Sequence, residues 1–228
     1  MAPKRKSTRN KKKGGKKSGG DELTSALTME ANQDLADAQF SLGMSYLEGT
    51  GVERNRKEAV RYLKLAADQG HVAAQFYLGN SYHDGDGFEK DLKEAVRYFK
   101  LSADQGHVDA QFNLGKSYIN GEGVEKNLEE AVRYYRLAAD QGHVVAQFYL
   151  GNSYHEGIGV EKDLEEAVRY FKLAADQGYS SAQYNLGNSY RDGKGVKKNL
   201  EQEVRYYRLA ADQGIADAQY TLGYTYRP

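Results

Sequence analysis

The sequence has no cysteine, and its only prolines are Pro3 and Pro228. Without cysteine there are no disulfides and no thiolate metal sites, and nothing points to an oxidising compartment. The basic N-terminus is followed by no apolar stretch, which argues against a secretory signal or a membrane span. Ala2 after the initiator Met excludes myristoylation. These absences predict an intracellular protein, of the nucleus or the cytoplasm. The lack of internal proline leaves every interior helix free of a chemical break.

Acid and base balance over the whole chain at 32 each, but they are not evenly spread. Residues 1–20, MAPKRKSTRNKKKGGKKSGG, hold nine of the basic residues and no acid, so the remainder carries 23 basic against 32 acidic residues, a net charge of −9. The first segment has almost nothing apolar to bury, and residues 1–21 are expected to form a disordered basic tail.

Past the tail the chain repeats itself. Ala38-Gln39-Phe40, Ala74-Gln75-Phe76, Ala110-Gln111-Phe112, Ala146-Gln147-Phe148, Ala182-Gln183-Tyr184 and Ala218-Gln219-Tyr220 recur every 36 residues. A fixed period of this size marks a repeat array. The glycines obey the same period: 21 of the 25 fall at four phases, represented by Gly79, Gly85, Gly87 and Gly106, and the other four lie within the first twenty residues.

Each repeat carries helical spacing twice. Ala95, Tyr98, Phe99, Ser102 and Ala103 line one face at i, i+3, i+4, i+7 and i+8. A shorter helix is predicted over about Ala73 to His83, with Ala74, Leu78 and Tyr82 on one side. Gly79 on that helix costs about 1 kcal/mol of propensity against Ala, so close approach by another helix is expected. Asn55, Asp91, Asn127, Asp163 and Asn199, followed three residues later by Glu58, Glu94, Glu130, Glu166 and Gln202, read as capping boxes in which each side chain satisfies a backbone N–H of the first turn. Gly-x-Gly supplies the turn between helices, and αL C-caps are expected at Gly70, Gly106, Gly142, Gly178 and Gly214.

The pattern A-Q-x-x-L-G-x-x-Y-x-x-G-x-G-V, then A-V-x-Y, then A-A-D-Q-G, over residues 38 to 226, resembles the Sel-one-like repeat (SLR), a relative of the tetratricopeptide repeat. The resemblance implies an all-α protein: an antiparallel helix pair per repeat, stacked into an α/α superhelical solenoid that serves as a scaffold or adaptor for other proteins. Some members of the family are disulfide-stapled and secreted, and a chain without cysteine does not resemble that branch. Residues 36–228 then form five full repeats and one half repeat. Ala31 to Asp34 fall in phase with Ala67 to Gly70, so residues 22–35 read as a degenerate capping helix. The half repeat ends at Tyr226 with Leu222 uncovered, which allows weak self-association at that end.

Catalysis needs different residue types converging on one point, and a repeated chain offers few such points. His71, His107 and His143 share one phase and are expected as loop histidines in a ladder along one edge, too far apart to converge on zinc. His83 and His155 lie two repeats apart. The Gly-x-Gly joins helices rather than a strand and a helix, unlike a dinucleotide loop, and Asp84-Gly85-Asp86-Gly87 departs from a calcium loop at Phe88 and Glu89. Tyr46, Tyr82, Tyr118, Tyr154, Tyr190 and Tyr226, with Tyr62, Tyr98, Tyr134, Tyr170 and Tyr206, sit on the apolar stripes, where core packing is their default use. No catalytic residue, cofactor or metal is therefore assigned.

Two candidate surfaces remain. The first is the set of first-helix positions that vary between repeats: Tyr77, Asn113, Tyr149, Asn185 and Thr221, with Asn80, Lys116, Asn152, Asn188 and Tyr224 three residues on. By analogy with tetratricopeptide stacks these line the concave side, where they would hold a peptide or protein partner. The second is the tail, where Lys4, Arg5, Lys6, Lys11, Lys12 and Lys13 suit nuclear import, phosphate contact or a solubilising arm. The leading expectation is a non-enzymatic scaffold. The alternatives are a nuclear nucleic-acid-associated protein contacting phosphate through its tail and, less favoured, a hydrolase, since some relatives of the repeat have been assigned enzymatic roles. Repeats two and four share Tyr77/Tyr149, His83/His155 and Phe99/Phe171, whereas three and five share Asn113/Asn185 and Tyr135/Tyr207. The unit that was copied is a pair of repeats.

Overall fold

A computed structural model describes residues 19–87 and 89–225, and among these it is helical throughout, with no strand. Eleven helices follow one another: α1 Gly19–Glu48, α2 Arg56–Asp68, α3 Val72–Asp84, α4 Leu92–Asp104, α5 Val108–Asn120, α6 Leu128–Asp140, α7 Val144–Glu156, α8 Leu164–Asp176, α9 Ser180–Asp192, α10 Leu200–Asp212 and α11 Ala216–Thr225. The extensive contacts join helices consecutive in the chain. The result is the expected α/α solenoid.

The second helix of each repeat buries the predicted face. In α4 the buried residues are Ala95, Tyr98, Phe99, Ser102 and Ala103. Each core cluster is shared across a repeat boundary, as when Ala95, Phe99 and Ala103 meet Ala110, Leu114 and Tyr134. The first helix supplies Ala74, Leu78 and Gly79 to the core. Gly79 has the close neighbour its position implied: a Cβ there would lie 2.6 Å from the Phe99 ring. Tyr135, Phe171 and Tyr207 occupy the same place over Gly115, Gly151 and Gly187.

The tyrosine stripes pair within repeats. Tyr82 stacks on Tyr98 and Tyr118 on Tyr134, each with centroids 5.7 Å apart and planes 8° apart. Arg97 and Arg133 cover Tyr98 and Tyr134 at 4.0 Å. These rings belong to the fold.

The turns follow the glycine phases. Gly70, Gly106, Gly142, Gly178 and Gly214 have φ between 87° and 91°, one residue beyond the C-caps. Gly123 needs its identity twice over, because its φ is 72° and a Cβ would strike the Leu92 carbonyl of the preceding repeat.

The capping boxes form only in their first half. Asp91 accepts from the N–H groups of Lys93 and Glu94, at 3.0 and 3.1 Å. The reciprocal bond is absent, because the Asp91 N–H already donates to the Tyr82 carbonyl at 2.9 Å. Glu94 turns instead to the Arg97 guanidinium at 2.8 Å. Asn127 with Glu130 and Asp163 with Glu166 behave the same way.

Residues 22–35, expected as a degenerate capping helix, are helical and form part of α1, which runs without a turn from Gly19 to Glu48. Asp34 stands where later repeats have a glycine at positive φ, a conformation costly for other residues. Continuing the helix avoids that cost.

Candidate functional site

Recurring polar residues were the first candidates for chemistry, and the structure engages most of them in packing. The two glutamines of each repeat form a chain of bonds. Gln105 Nε2 donates to Gln75 Oε1 at 2.7 Å, and Gln75 Nε2 donates to the Ala67 carbonyl of the preceding repeat at 3.3 Å. The same pair of bonds recurs at Gln141–Gln111, Gln177–Gln147 and Gln213–Gln183. Gln75, Gln111, Gln147 and Gln183 are buried. Sequence reasoning missed this ladder. The available signal was two glutamines thirty residues apart in every copy.

The edge histidines lie in the loops before α3, α5 and α7, as expected, and there each caps the helix that follows. His71, His107 and His143 accept the N–H of Ala74, Ala110 and Ala146 on Nδ1, at 3.1, 3.3 and 3.0 Å. Each ring stacks on the phenylalanine of the preceding first helix, as His107 does on Phe76 with centroids 4.4 Å apart. Burial lowers the pKa of the His107 imidazole, with Asp109 acting in the opposite direction. Tyr179 takes the fourth position and makes no side-chain cap.

His83 and His155 face carboxylates rather than each other. His83 Nδ1 lies 2.7 Å from Asp84, and His155 Nδ1 lies 2.6 Å from Glu156. Among the described residues no cluster of three or more His, Asp or Glu is placed to hold a metal ion.

The variable first-helix positions share one side of the stack. Asn113 Nδ2 donates to Asn80 Oδ1 at 3.3 Å, and Asn185 Nδ2 donates to Asn152 Oδ1 at 3.2 Å. Tyr149 is exposed yet anchored, its ring 5.5 Å from Tyr135 and 6.0 Å from Phe112. Tyr77 is half-buried against Phe40 and Phe76. Lys116 Nζ lies 6.0 Å from the Phe112 ring centre. Asn188 differs from Asn80 and Asn152, because its Oδ1 receives the Tyr207 hydroxyl at 2.7 Å. Burial pushes the pKa of that hydroxyl up to about 12.

Two cavities open on this side, one at each asparagine pair. The larger, about 260 Å³, is lined by Asn152, Asn185, Asn188, His155, Phe171 and Arg191 among others. The smaller, about 40 Å³, has Asn80, Asn113, His83, Phe99, Lys116 and Glu122 in its wall. They are the same place in the fold, 72 residues apart.

With the stack and its polar ladder in view, the Sel1 repeat family pattern matches residues 36–71, 72–107, 108–143, 144–179 and 180–215. The chain belongs to the Sel1 repeat family. Proteins built from Sel1 repeats are generally protein-interaction scaffolds. Among solved structures, it is similar to a Sel1 repeat protein from Oxalobacter formigenes, at 33% identity and a TM-score of 0.75, with 92% of this chain and 87% of that one covered. A protective antigen of uropathogenic Escherichia coli with an SLR fold is 35% identical, with a TM-score of 0.81 over 85% of this chain. This chain spans 42% of the length of that antigen. No curated protein matches the chain.

The Sel1 array leaves one candidate surface unplaced. Lys4, Arg5, Lys6, Lys11, Lys12 and Lys13 lie outside the described residues, as does Tyr226. Among the described residues no helix is long and apolar enough to cross a membrane.

Proposed function

We propose that the protein is a non-enzymatic scaffold that binds a protein or peptide partner along the concave face of its first helices, α3, α5, α7 and α9. One contrast carries this reading. The polar residues that recur in every repeat, such as Gln75 and Gln105, are engaged in holding the stack together. Of the residues that vary, Asn80, Asn113 and Lys116 line one cavity and Asn152, Asn185 and Asn188 the other, and Tyr77 and Tyr149 on the same helices complete the proposed face. Rigid tyrosines beside adaptable amides suit a binding surface. A repeat stack also offers such a surface over a long span.

The test is a pull-down from native lysate with the full chain and with the variant Tyr77→Ala, Asn80→Ala, Tyr149→Ala, Asn152→Ala. The variant is expected to lose the partner and keep its circular dichroism spectrum. Retention of the partner by a folded variant overturns the face assignment.

A further inference from the structure

Asn80 bonds to Asn113 and Asn152 to Asn185 across neighbouring first helices, and the same 33-residue offset relates Met44 to Tyr77, Lys116 to Tyr149 and Asn188 to Thr221 in the sequence. Amide is matched with amide in the first two of these pairs, and nowhere else in the series. At both, a single hydrogen bond joins the two side chains. A primary amide carries two N–H donors and an oxygen with two lone pairs. One bond uses one of the four N–H groups and one of the four lone pairs of a pair, so each asparagine keeps at least one donor and one acceptor. The remainder is the same whichever amide donates. Neither pair has an orphaned atom sealed from solvent, so the spare groups are open to a ligand.

A donor beside an acceptor matches the N–H and C=O of one residue in an extended chain, the groups that a strand exchanges with its neighbour. The charges around the pairs favour an uncharged ligand. At Asn152–Asn185, Arg191 and Lys194 both lie on Asp192, at 2.9 and 3.4 Å, and His155 lies on Glu156. The two bases and two acids of that wall cancel, as do Lys116 and Glu122 at Asn80–Asn113. Asn188 forms no such pair, because the position 33 residues on is Thr221 and its own Oδ1 is joined to the Tyr207 hydroxyl instead.

Building on the binding face proposed above, we infer that Asn80–Asn113 and Asn152–Asn185 are two main-chain readers that hold one extended, uncharged peptide segment at two residues. Adjacent packed helices lie about 8 to 10 Å apart, which puts the readers about 16 to 20 Å apart. Successive residues of an extended chain turn their N–H and C=O to opposite edges, so at about 3.3 Å per residue two contacts on one edge across this span lie about six residues apart. The cavity of about 260 Å³ at the second reader has room for one partner side chain, whereas the cavity of about 40 Å³ at the first holds only a small group or water.

The probe is a library of random twelve-residue peptides displayed on phage and selected on the full chain. Selected sequences are made as synthetic peptides and scanned by N-methylation, which deletes one N–H at a time. Two sensitive positions about six residues apart are expected, each losing tenfold or more in affinity. Asn80→Ala should remove the sensitivity at one position and Asn152→Ala at the other, with Asn80→Asp and Asn152→Asp as second variants that delete the donor and keep the size. Peptides that bind with a flat methylation scan, or keep both sensitivities in all variants, overturn the reader assignment. If Tyr77→Ala and Tyr149→Ala still weaken those peptides, the binding face itself stands. Failure to select any peptide, or selection of peptides indifferent to all these changes, overturns both.

Discussion

Gln141 donates to Gln111 across 2.8 Å, and Gln111 passes the connection to the Ala103 carbonyl at 3.2 Å. Two repeats are thus joined by one buried side chain that is both donor and acceptor. Replacing Gln111 by Leu would keep the volume and remove two hydrogen bonds, while the Ala103 carbonyl keeps the Gly106 N–H at 2.9 Å and the Gln141 amide keeps the Leu137 carbonyl at 3.4 Å. The expected cost is about 1 to 3 kcal/mol, read from urea denaturation. Hydrogen exchange should place the loss at the α4–α6 region, because contacts in a solenoid are local.

The glycines at one phase divide into two predictions. Gly115→Ala gains about 1 kcal/mol of helix propensity, but its Cβ would lie 2.7 Å from the Tyr135 ring. Overpacking of this kind costs about 1 to 3 kcal/mol, so net destabilisation is expected. Gly223 has nothing within 4 Å. There the same substitution should raise the melting temperature or leave it unchanged, and an equal loss at both sites would refute the ring-contact explanation.

The half-formed capping boxes separate two residues that sequence alone treats as partners. Asp91→Ala or Asp163→Ala should cost about 0.5 to 2 kcal/mol. Glu94→Ala removes only an exposed pair with Arg97 and should cost a few tenths of a kcal/mol, about the value of such pairs. Chemical denaturation of the single variants distinguishes them. Comparable losses would mean that Glu94 does cap the helix in solution.

Much of this fold was legible because a 36-residue period averages out local noise. Val72–Asp84 was anticipated within a residue at each end, and the α4 face was anticipated residue by residue. What escaped was the use of polar side chains whose partners lie in another repeat. Gln75 served only to mark the period, because its partners, the Ala67 carbonyl and Gln105, are not adjacent to it in the chain. His107 reads as a loop residue because imidazole is not among the preferred N-cap groups. Of the binding face, the sequence showed which positions vary, while the pairing of Asn80 with Asn113 required the register between adjacent helices.

His107 should make the start of α5 sensitive to acid. Its Nδ1 accepts the Ala110 N–H, a bond available only to the neutral ring. Burial holds the folded-state pKa below its ordinary value, whereas in the unfolded chain the group titrates near about 6.5. The unfolded state therefore binds the proton more readily, so the contribution is complete above the unfolded value and is lost as pH falls through the folded one. Amide exchange at the α5 N-terminus, corrected for its intrinsic pH dependence, should quicken between pH 7 and 5. His107→Asn should abolish the change, and an unaltered profile in that variant would assign it elsewhere.

Glu203 occupies the position of Ala59, Ala95, Ala131 and Ala167, and is buried at 6% exposure. No ion pair or side-chain hydrogen bond reaches it among the described residues. Its carboxylate oxygens are not sealed from solvent, so Glu203→Ala is expected to stabilise α10 by less than the about 1 to 3 kcal/mol of a sealed, unpartnered polar group. A lower melting temperature would show that the carboxylate makes a bond in solution.

None of the side-chain hydrogen bonds described here reaches further than 33 residues along the chain, the Asn80–Asn113 distance in sequence. A 72-residue insertion or deletion at matching phase would therefore reconnect every donor to an equivalent acceptor. Recombination between copies can lengthen or shorten the protein in a single genetic step, with no bond to reinvent. Each such step adds or removes one asparagine junction and one tyrosine junction together. The gene thus carries an adjustable ruler, whose graduations change in number while their spacing stays fixed.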